Sequence, residues 1–320
     1  NRIAEWRTSH GIKTKVVPID EIYDNFSFGY PHPDAIRRFI RYAYNNWGLC
    51  YVYLFGAGTY GYKEEVDRNR IPPYETGYLI GIFGYPPQGN KCYDDYFACI
   101  NYDEDDIPDV VITRSTVKNE EEAYWLTEKI INYEHSYGGW RHRVLLIADD
   151  EYGQSINESL HTSQVENSFA PLIPAGYDIY KVYLMNYQGV TQATDPSWTP
   201  ASRPGNKPGA KEDILRYLHK GMFLAMWMGH GSIETIAHER VFVNPDDIYG
   251  LENNYKLPIF YFGACGVGCF DRLAKDGLGD YLEKWPHGGA IGVLASTRAA
   301  SATTNQNVGV RLLRSIFSDS

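Results

Sequence analysis

Short apolar runs alternate along the chain with longer segments in which apolar residues recur every three or four positions. The runs at 223–228 (FLAMWM) and 259–265 (IFYFGAC) contain no regular polar alternation, which is typical of strands buried on both faces. The segment 32–47 instead places Ile36 and Ile40 on one face of a helix. This alternation predicts an α/β fold in which helices cover both faces of a mostly parallel sheet.

The same two patterns locate the remaining elements. Strands are predicted over 13–19, 50–58, 108–114, 143–151, 177–184, 223–231, 255–265 and 288–297. Helices are predicted over 32–47, 119–137, 161–173, 211–221, 278–285 and 307–317, with Asn119 as the N-cap of the second. The segment 186–210, rich in Pro, Gly, Ser and Thr, is predicted to be a long surface loop.

Chemically versatile residues follow several of the predicted strands directly. The tips are GAGTYG, ADDE, GHGS, GACGVGC and ASTR. Parallel α/β sheets bind their ligands at the carboxyl ends of the strands, so these tips are expected at one edge of the sheet.

His230 and Cys265 stand out among these tips. His230 lies between Gly229 and Gly231 at the end of one apolar run, and Cys265 ends the next. A thiol beside an imidazole forms a nucleophile with its base, and we predict that pairing here. The backbone N–H groups of Gly231 and Cys265 are predicted to stabilise an oxyanion.

Other residues compete for these roles. Cys269 is a second candidate nucleophile, but Cys265 ends the apolar run directly. His161 and His238 are alternative bases, but neither has glycine on both sides.

Composition narrows the class of protein. The 320 residues are 43% hydrophobic with a net charge of −10, and no basic stripe indicates nucleic-acid binding. No apolar run reaches the roughly 18 residues that cross a membrane. The five cysteines have no zinc-site spacing, and whether Cys92 and Cys99 form a disulfide or remain separate buried thiols is open.

The segments MGHGS, LPIFYFGACGVGCFDR and GGAIGVLASTR resemble the gingipain-type, caspase-like cysteine peptidases. Among these, they are most similar to the PorU-type sortase branch, the peptidase of the type IX secretion system. Upstream segments such as YVYLFGAGTYG and PDVVITRSTVKNEEEAYWLTEKIINYE follow the family's order, so the resemblance spans nearly the whole chain. Ala57 and the stretch 113–116 depart from the family pattern.

The resemblance implies a caspase-like fold of two similar subdomains. The N-terminal subdomain is expected at 1–140 without a dyad, and the catalytic subdomain at 141–320, ending before the family's usual continuation. It also implies a cysteine endopeptidase that acts through a thioester, and its sortase branch implies the processing of secreted proteins. The alternative is an inactive member serving as a scaffold or binding module in a secretion or cell-surface assembly.

The resemblance further implies an acid at the end of the strand 143–151 that orients the imidazole. Among Asp149, Asp150 and Glu151, the preferred candidate is Glu151, followed by Asp150. The substrate pocket is expected near Met228, Thr162, Ser296 and Thr297. Thr162 stands where arginine-specific gingipains have an acidic residue, which argues against an arginine pocket.

The expected partners and cofactors follow from the same resemblance. A polypeptide substrate is implied, with secretion-system or cell-surface proteins as further partners and a secreted or bacterial cell-surface location. No cofactor is required for the reaction. A structural calcium ion is expected at acidic residues, and the candidates are Asp94, Asp95, Asp103 and Asp105.

Overall fold

The computed structural model describes residues 2–59, 70–76, 91–92, 94–100, 107–150, 159–189, 206–272 and 276–317. The α-helices are α1 (Arg2–Ser9), α2 (Ile19–Ser27), α3 (Pro33–Trp47), α4 (Asp95–Ala98), α5 (Glu120–His135), α6 (Leu160–Gln164), α7 (Pro208–Lys220), α8 (Asp246–Tyr249), α9 (Leu278–Lys284) and α10 (Ala302–Phe317). The strands are β1 (Tyr51–Phe55), β2 (Glu75–Thr76), β3 (Lys91–Cys92), β4 (Val111–Ser115), β5 (Arg143–Ala148), β6 (Asp178–Tyr183), β7 (Leu224–Met228), β8 (Thr235–Ile236), β9 (Phe242–Val243), β10 (Ile259–Gly263) and β11 (Gly292–Ala295).

The chain divides into two compact units. The first comprises Asn1–Ile131 and Phe270–Lys275, and the second comprises Asn132–Cys269 and Asp276–Ser320. The division therefore falls within α5, upstream of the boundary predicted after residue 140, and a short segment of the C-terminal half belongs to the first unit.

The second unit is built on a five-stranded sheet in the order β11-β10-β7-β5-β6. All four pairings are parallel. Helices cover both faces, which confirms the predicted class of a mostly parallel α/β sheet.

The central strands are buried on both faces because each strand sends alternate side chains into two separate cores. Leu145, Trp227 and Phe262 pack with α7 and α9 on one face. Leu146 and Met226 pack with α10 and with the segment that follows α6 on the other. The two edge strands, β6 and β11, are less buried, so the continuous apolar runs in the sequence correspond to the interior strands.

The order of the strands reverses between β5 and β7. From β5 the chain passes outward to β6, and it then returns to the other side of β5 to form β7, β10 and β11. In open α/β sheets the crevice at such a switch point, outside the carboxyl ends of the strands, is where ligands bind. The residues that follow β5 and β7 are therefore the candidates for a ligand-binding site in this fold.

The first unit contains the parallel pair β1 and β4, against which α2, α3 and α4 form a core. The predicted helix α3 begins with Pro33, and His32 caps it by accepting a hydrogen bond from the backbone N–H of Asp34. Its predicted apolar face, with Ile36 and Ile40, is buried.

The predicted strand at 13–19 is wrong. These residues form no strand: Val16 is 55% exposed, and the helix α2 already begins at Ile19. A short apolar run forms a strand only where it pairs with another strand, and no described strand pairs with these residues. The predicted helix at 161–173 is interrupted, since α6 passes into a π-helical turn at Val165–Phe169 and a 3-10 turn at Ala170–Leu172.

Several smaller predictions are also resolved. Asn119 caps α5, as predicted, because its Oδ1 accepts from the backbone N–H of Glu122 at 2.9 Å. Cys92 and Cys99 are both buried and no disulfide joins them, which matches the alternative of separate buried thiols. Most of the predicted loop at 186–210 lies outside the described residues. Within the described part of the chain, no helix has the length and apolar character needed to cross a membrane.

Candidate active site

Three strand ends of the second unit bring an acid, an imidazole and a thiol to the same edge of the sheet. Met228 at the end of β7 pairs with Ala148 of β5 and with Gly263 of β10. The contacts continue past the strands, since the N–H of Asp149 donates to the Met228 carbonyl at 3.0 Å. His230 and Cys265 therefore occupy matching positions, each two residues beyond the last pair of β7 and β10.

His230 is held by Asp149. One carboxylate oxygen, Oδ2, lies 2.9 Å from the ring Nδ1 and also accepts the backbone N–H of His230 at 2.8 Å. The Asp149 side chain is fully buried, whereas that of His230 is 40% exposed. This double contact favours the tautomer with the proton on Nδ1 and leaves Nε2 as the basic nitrogen.

The glycine that precedes the histidine is required by this contact. A Cβ atom at Gly229 would lie 2.2 Å from the Cβ of Asp149, closer than two nonbonded carbon atoms can approach. The missing side chain allows the buried carboxylate to lie directly beside the backbone of residues 229 and 230. The first glycine of the GHG motif therefore serves to admit the acid.

We expect Gly229→Ala to lower the free energy of unfolding by about 2–3 kcal/mol, because the added methyl group overpacks against Asp149. Chemical denaturation monitored by tryptophan fluorescence measures this loss. Gly292→Ala is the matched control in the same sheet, since a Cβ at Gly292 meets no atom within 4 Å. Equal stabilities of the two variants would contradict the proposed packing role.

Cys265 is partly exposed, and its sulfur contacts the chain beyond β11. The backbone N–H of Ala300 donates to Sγ at 3.3 Å, and Sγ lies 3.4 Å from the Ala300 carbonyl oxygen. A backbone donor directed at sulfur is a contact that stabilises a thiolate. Cys269, the competing thiol, is fully buried, and the Arg298 guanidinium donates to its sulfur at 3.5 Å.

Gly231 lies against the backbone that bears the thiol. A Cβ at Gly231 would lie 2.8 Å from the Cβ of Ala264 and 3.3 Å from the carbonyl oxygen of Cys265. Its bridge to Ile236 is bounded by hydrogen bonds of the neighbouring residues, so the Gly231 N–H is directed away from that bridge. The predicted role of this N–H and that of Cys265 as oxyanion donors is compatible with the geometry and stays a prediction.

The rings of the two alternative histidines both contact the ring of His230. The ring of His161 packs edge-on at a centroid distance of 5.5 Å, and that of His238 lies at 4.5 Å. His161 is buried, and its Nδ1 lies 3.0 Å from Gln164 Oε1, whereas His238 is exposed. Among these three rings, we assign the base to His230 because it has the buried carboxylate partner.

The orienting acid differs from the one preferred on sequence grounds. Asp149 makes the contact, whereas the carboxylate of Asp150 pairs with Lys207. The choice of Asp150 is therefore wrong, because successive residues beyond a strand point in different directions and only Asp149 points towards β7. Glu151, the preferred candidate, lies outside the described residues.

Glu239 is a buried acid beside this pair that the sequence patterns did not single out. Burial raises its pKa to about 7, and the negative charges of Asp149 and Asp150 add to the shift. It lies in the turn between β8 and β9, in a polar stretch, so the sequence offered no signal that this side chain would be buried.

The four residues predicted to line the substrate pocket differ in their exposure to solvent. Met228 is fully buried in the sheet core, so its assignment to a substrate surface is wrong. It is the last residue of an interior strand, and both faces of that strand are covered. Thr162, Ser296 and Thr297 are partly exposed, and Ser296 Oγ donates to the carbonyl of Arg298 at 2.7 Å. Their role in substrate binding stays a prediction.

The structure describes two of the four residues predicted to bind calcium, Asp94 and Asp95. Both carboxylate oxygens of Asp94 accept from the Arg114 guanidinium, at 2.7 and 2.8 Å, so the ion pair already neutralises this group. Asp95 begins the short helix α4, and Asp103 and Asp105 lie outside the described residues. Calcium binding at these residues stays a prediction, and the ion pair with Arg114 makes Asp94 the less favoured ligand.

Comparisons with known proteins agree with this architecture. The model of one family, described as peptidase family C25, matches residues 1–320. No curated protein matches the chain. Three solved chains match, and the similarity covers most of this chain in each.

The crystal structure of the Arg-specific cysteine proteinase gingipain R (RGPB) is 22% identical, with a TM-score of 0.70. The match covers 99% of this chain and 64% of that one. The complex of Porphyromonas gingivalis RgpB pro- and mature domains is 21% identical over 97% of this chain and 64% of that one, with a TM-score of 0.68. A third structure, described as a protease, is 18% identical over 87% of this chain and 52% of that one, with a TM-score of 0.60. At these identities the likeness establishes the shared fold, and the chain spans less than two thirds of the length of each of these proteins.

Proposed function

The chain belongs to peptidase family C25, and from this we propose that it is a cysteine endopeptidase with Cys265 as nucleophile and His230 as general base. The observation that carries the proposal is the arrangement at the sheet edge. A buried carboxylate holds Nδ1 of a partly exposed imidazole, and a partly exposed thiol lies at the matching position beyond the neighbouring strand.

The proposed reaction proceeds through a thioester. Nε2 of His230 takes the proton from Cys265, and the sulfur attacks the carbonyl carbon of the scissile peptide bond. The developing oxyanion accepts hydrogen bonds from the N–H groups of Gly231 and Cys265. The imidazolium returns its proton to the leaving amine, and the C–N bond breaks to leave an acyl group on sulfur.

The second half of the reaction decides between two outcomes. Water, deprotonated by His230, hydrolyses the thioester in a peptidase, whereas an amine resolves it in a sortase. The resemblance to the PorU-type branch supports the sortase variant, together with a role in processing secreted proteins at a bacterial cell surface. Adding a small primary amine to the assay distinguishes the two, because only a transpeptidase forms the amide product in substantial yield.

Thr162 bears on the choice of substrate. The neighbour in the comparison is described as Arg-specific, whereas the side chain of Thr162 has no charge to pair with arginine. This supports a preference for a residue other than arginine before the scissile bond. A mixed peptide library reports that preference directly.

The test of the proposed function is selective alkylation. We expect iodoacetamide to modify Cys265 faster than Cys269 by roughly 100-fold or more, because the sulfur of the first is partly exposed and accepts a backbone N–H, whereas the second is buried. Peptide mapping by mass spectrometry identifies the labelled residue, and loss of library cleavage should follow the labelling of Cys265 in time.

The same experiment also distinguishes an active peptidase from the alternative, an inactive scaffold. A scaffold would show no cleavage of the library, and its label would fall on Cys269 or on neither of the two thiols. Either result would remove Cys265 from the proposed role.

A further inference from the structure

Three buried carboxylates lie close together, and one of them, Asp149, contacts His230. Asp149, Asp150 and Glu239 each place one oxygen within 4.8 Å of the other two. Their exposures are 0%, 8% and 2%, so water screens these charges poorly. A cation bound to oxygen at about 2.3–2.6 Å bridges oxygens at such separations.

Each of the three residues also has an oxygen with no hydrogen-bond partner. Asp149 uses Oδ2 for His230, and Asp150 uses Oδ2 for Lys207. The remaining Oδ1 atoms of both residues, and Oε2 of Glu239, are buried and have no partner among the described residues. Buried acceptors without a donor are costly, so three of them in one cluster indicate a ligand.

The charges indicate the sign and valence of that ligand. In their ionised form the three carboxylates contribute three negative charges, and Lys207 offsets one of them through its contact with Asp150. Two negative charges then remain in a buried space. We propose that Asp149, Asp150 and Glu239 bind a hard divalent cation such as calcium, which neutralises this cluster.

The local backbone is shaped to bring the third carboxylate inward. Glu239 lies in the turn between β8 and β9, and on this turn Ala237 and Arg240 both have positive φ, at 61° and 53°. Non-glycine residues adopt that conformation at a cost, which a buried ionic contact offsets. The turn thereby places a buried acid next to an exposed histidine, His238.

The proposed cation site and the contact with His230 share one residue, Asp149. Asp149 contacts His230 through Oδ2, and its buried Oδ1 has no hydrogen-bond partner among the described residues. A cation bound by this carboxylate would therefore also fix the group that holds the imidazole. The cation itself takes part in no bond-making step. Its binding is independent of the proposed peptidase activity, and the two ideas can fail separately.

Calorimetric titration of calcium chloride into chelator-treated protein tests the proposal. We expect the wild-type chain to bind calcium and to gain several degrees in melting temperature at saturation, because ligand binding to the folded state stabilises it. Glu239→Gln should weaken this affinity by roughly 10-fold or more, since it removes one charged ligand. Glu252→Gln, at an exposed position, is the matched control and should bind as the wild type does.

The rival explanation is that Glu239 carries a proton in place of a cation. In that case glutamine mimics the protonated acid, calcium leaves the melting temperature unchanged, and the stabilities of Glu239→Gln and wild type agree. That result would overturn the proposal, as would equal calcium binding by Glu239→Gln and Glu252→Gln. If Glu239→Gln does not fold, the melting temperature and calorimetry of wild type against the control with and without calcium still decide whether a cation binds, and Asp150→Asn then tests the site.

Discussion

Replacing Cys265 with alanine is expected to reduce peptide cleavage by roughly 10⁴-fold or more, as the loss of a catalytic nucleophile does in other covalent hydrolases. The variant loses the atom that forms the thioester, and no other side chain of the cluster supplies one. Substrate binding should persist, because the methyl group leaves the surrounding backbone in place. A fluorogenic peptide chosen from the library measures kcat/KM for both proteins.

Cys269→Ala is the control for this experiment. Cys269 is buried under the guanidinium of Arg298, so its replacement should change stability and leave most of the activity intact. The opposite pattern, with cleavage lost in Cys269→Ala and retained in Cys265→Ala, would reverse the assignment of the nucleophile.

The second large effect is expected at Asp149. Asp149→Asn should lower kcat by roughly 10³–10⁴-fold with little change in KM, because an amide no longer enforces the tautomer with its proton on Nδ1. The acid limb of the pH–rate profile should also move to lower pH, since the imidazolium loses the anion that stabilises it. A residue with only a packing role would not shift that limb.

The matched control is Asp178→Asn, on an exposed position at the beginning of β6, the far end of its strand from the site. It should retain the wild-type kcat and pH profile. Assays of Asp149→Asn in calcium and in chelator separate its effect on the imidazole from its effect on the cation. A tenfold or smaller change in kcat under both conditions would rule out Asp149 as the positioning acid.

Much of the site follows from local patterns. The apolar runs locate β7 and β10, and their ends identify His230 and Cys265 without any knowledge of tertiary contacts. Residues at the ends of parallel strands meet at one edge of a sheet, so sequence order alone predicted that these two side chains lie on the same edge. The structure confirms that placement, while their catalytic roles stay predictions.

Local sequence patterns could not predict which acid holds the imidazole of His230. Asp149, Asp150 and Glu151 are consecutive residues of similar chemistry, and only the register of β5 against β7 decides which of them lies beside His230. The reason for Gly229 likewise appears only when Asp149 occupies the place of its missing side chain. Glu239 lies near Asp149 and Asp150 because of the turn between β8 and β9, and no periodic sequence pattern predicts that turn.

The sequence by itself determined the alternation of strands and helices, the burial of the interior strands and the polar character of one sheet edge. It did so because these properties depend on the spacing of apolar residues within a few positions of one another. Tertiary structure decided that Asp149 holds the imidazole, that Met228 lies in the core and that Glu239 meets the two aspartates. Those outcomes depend on strand register and on turn geometry, which bring together residues far apart in the chain. The spacing of apolar residues within a short segment determines neither of them.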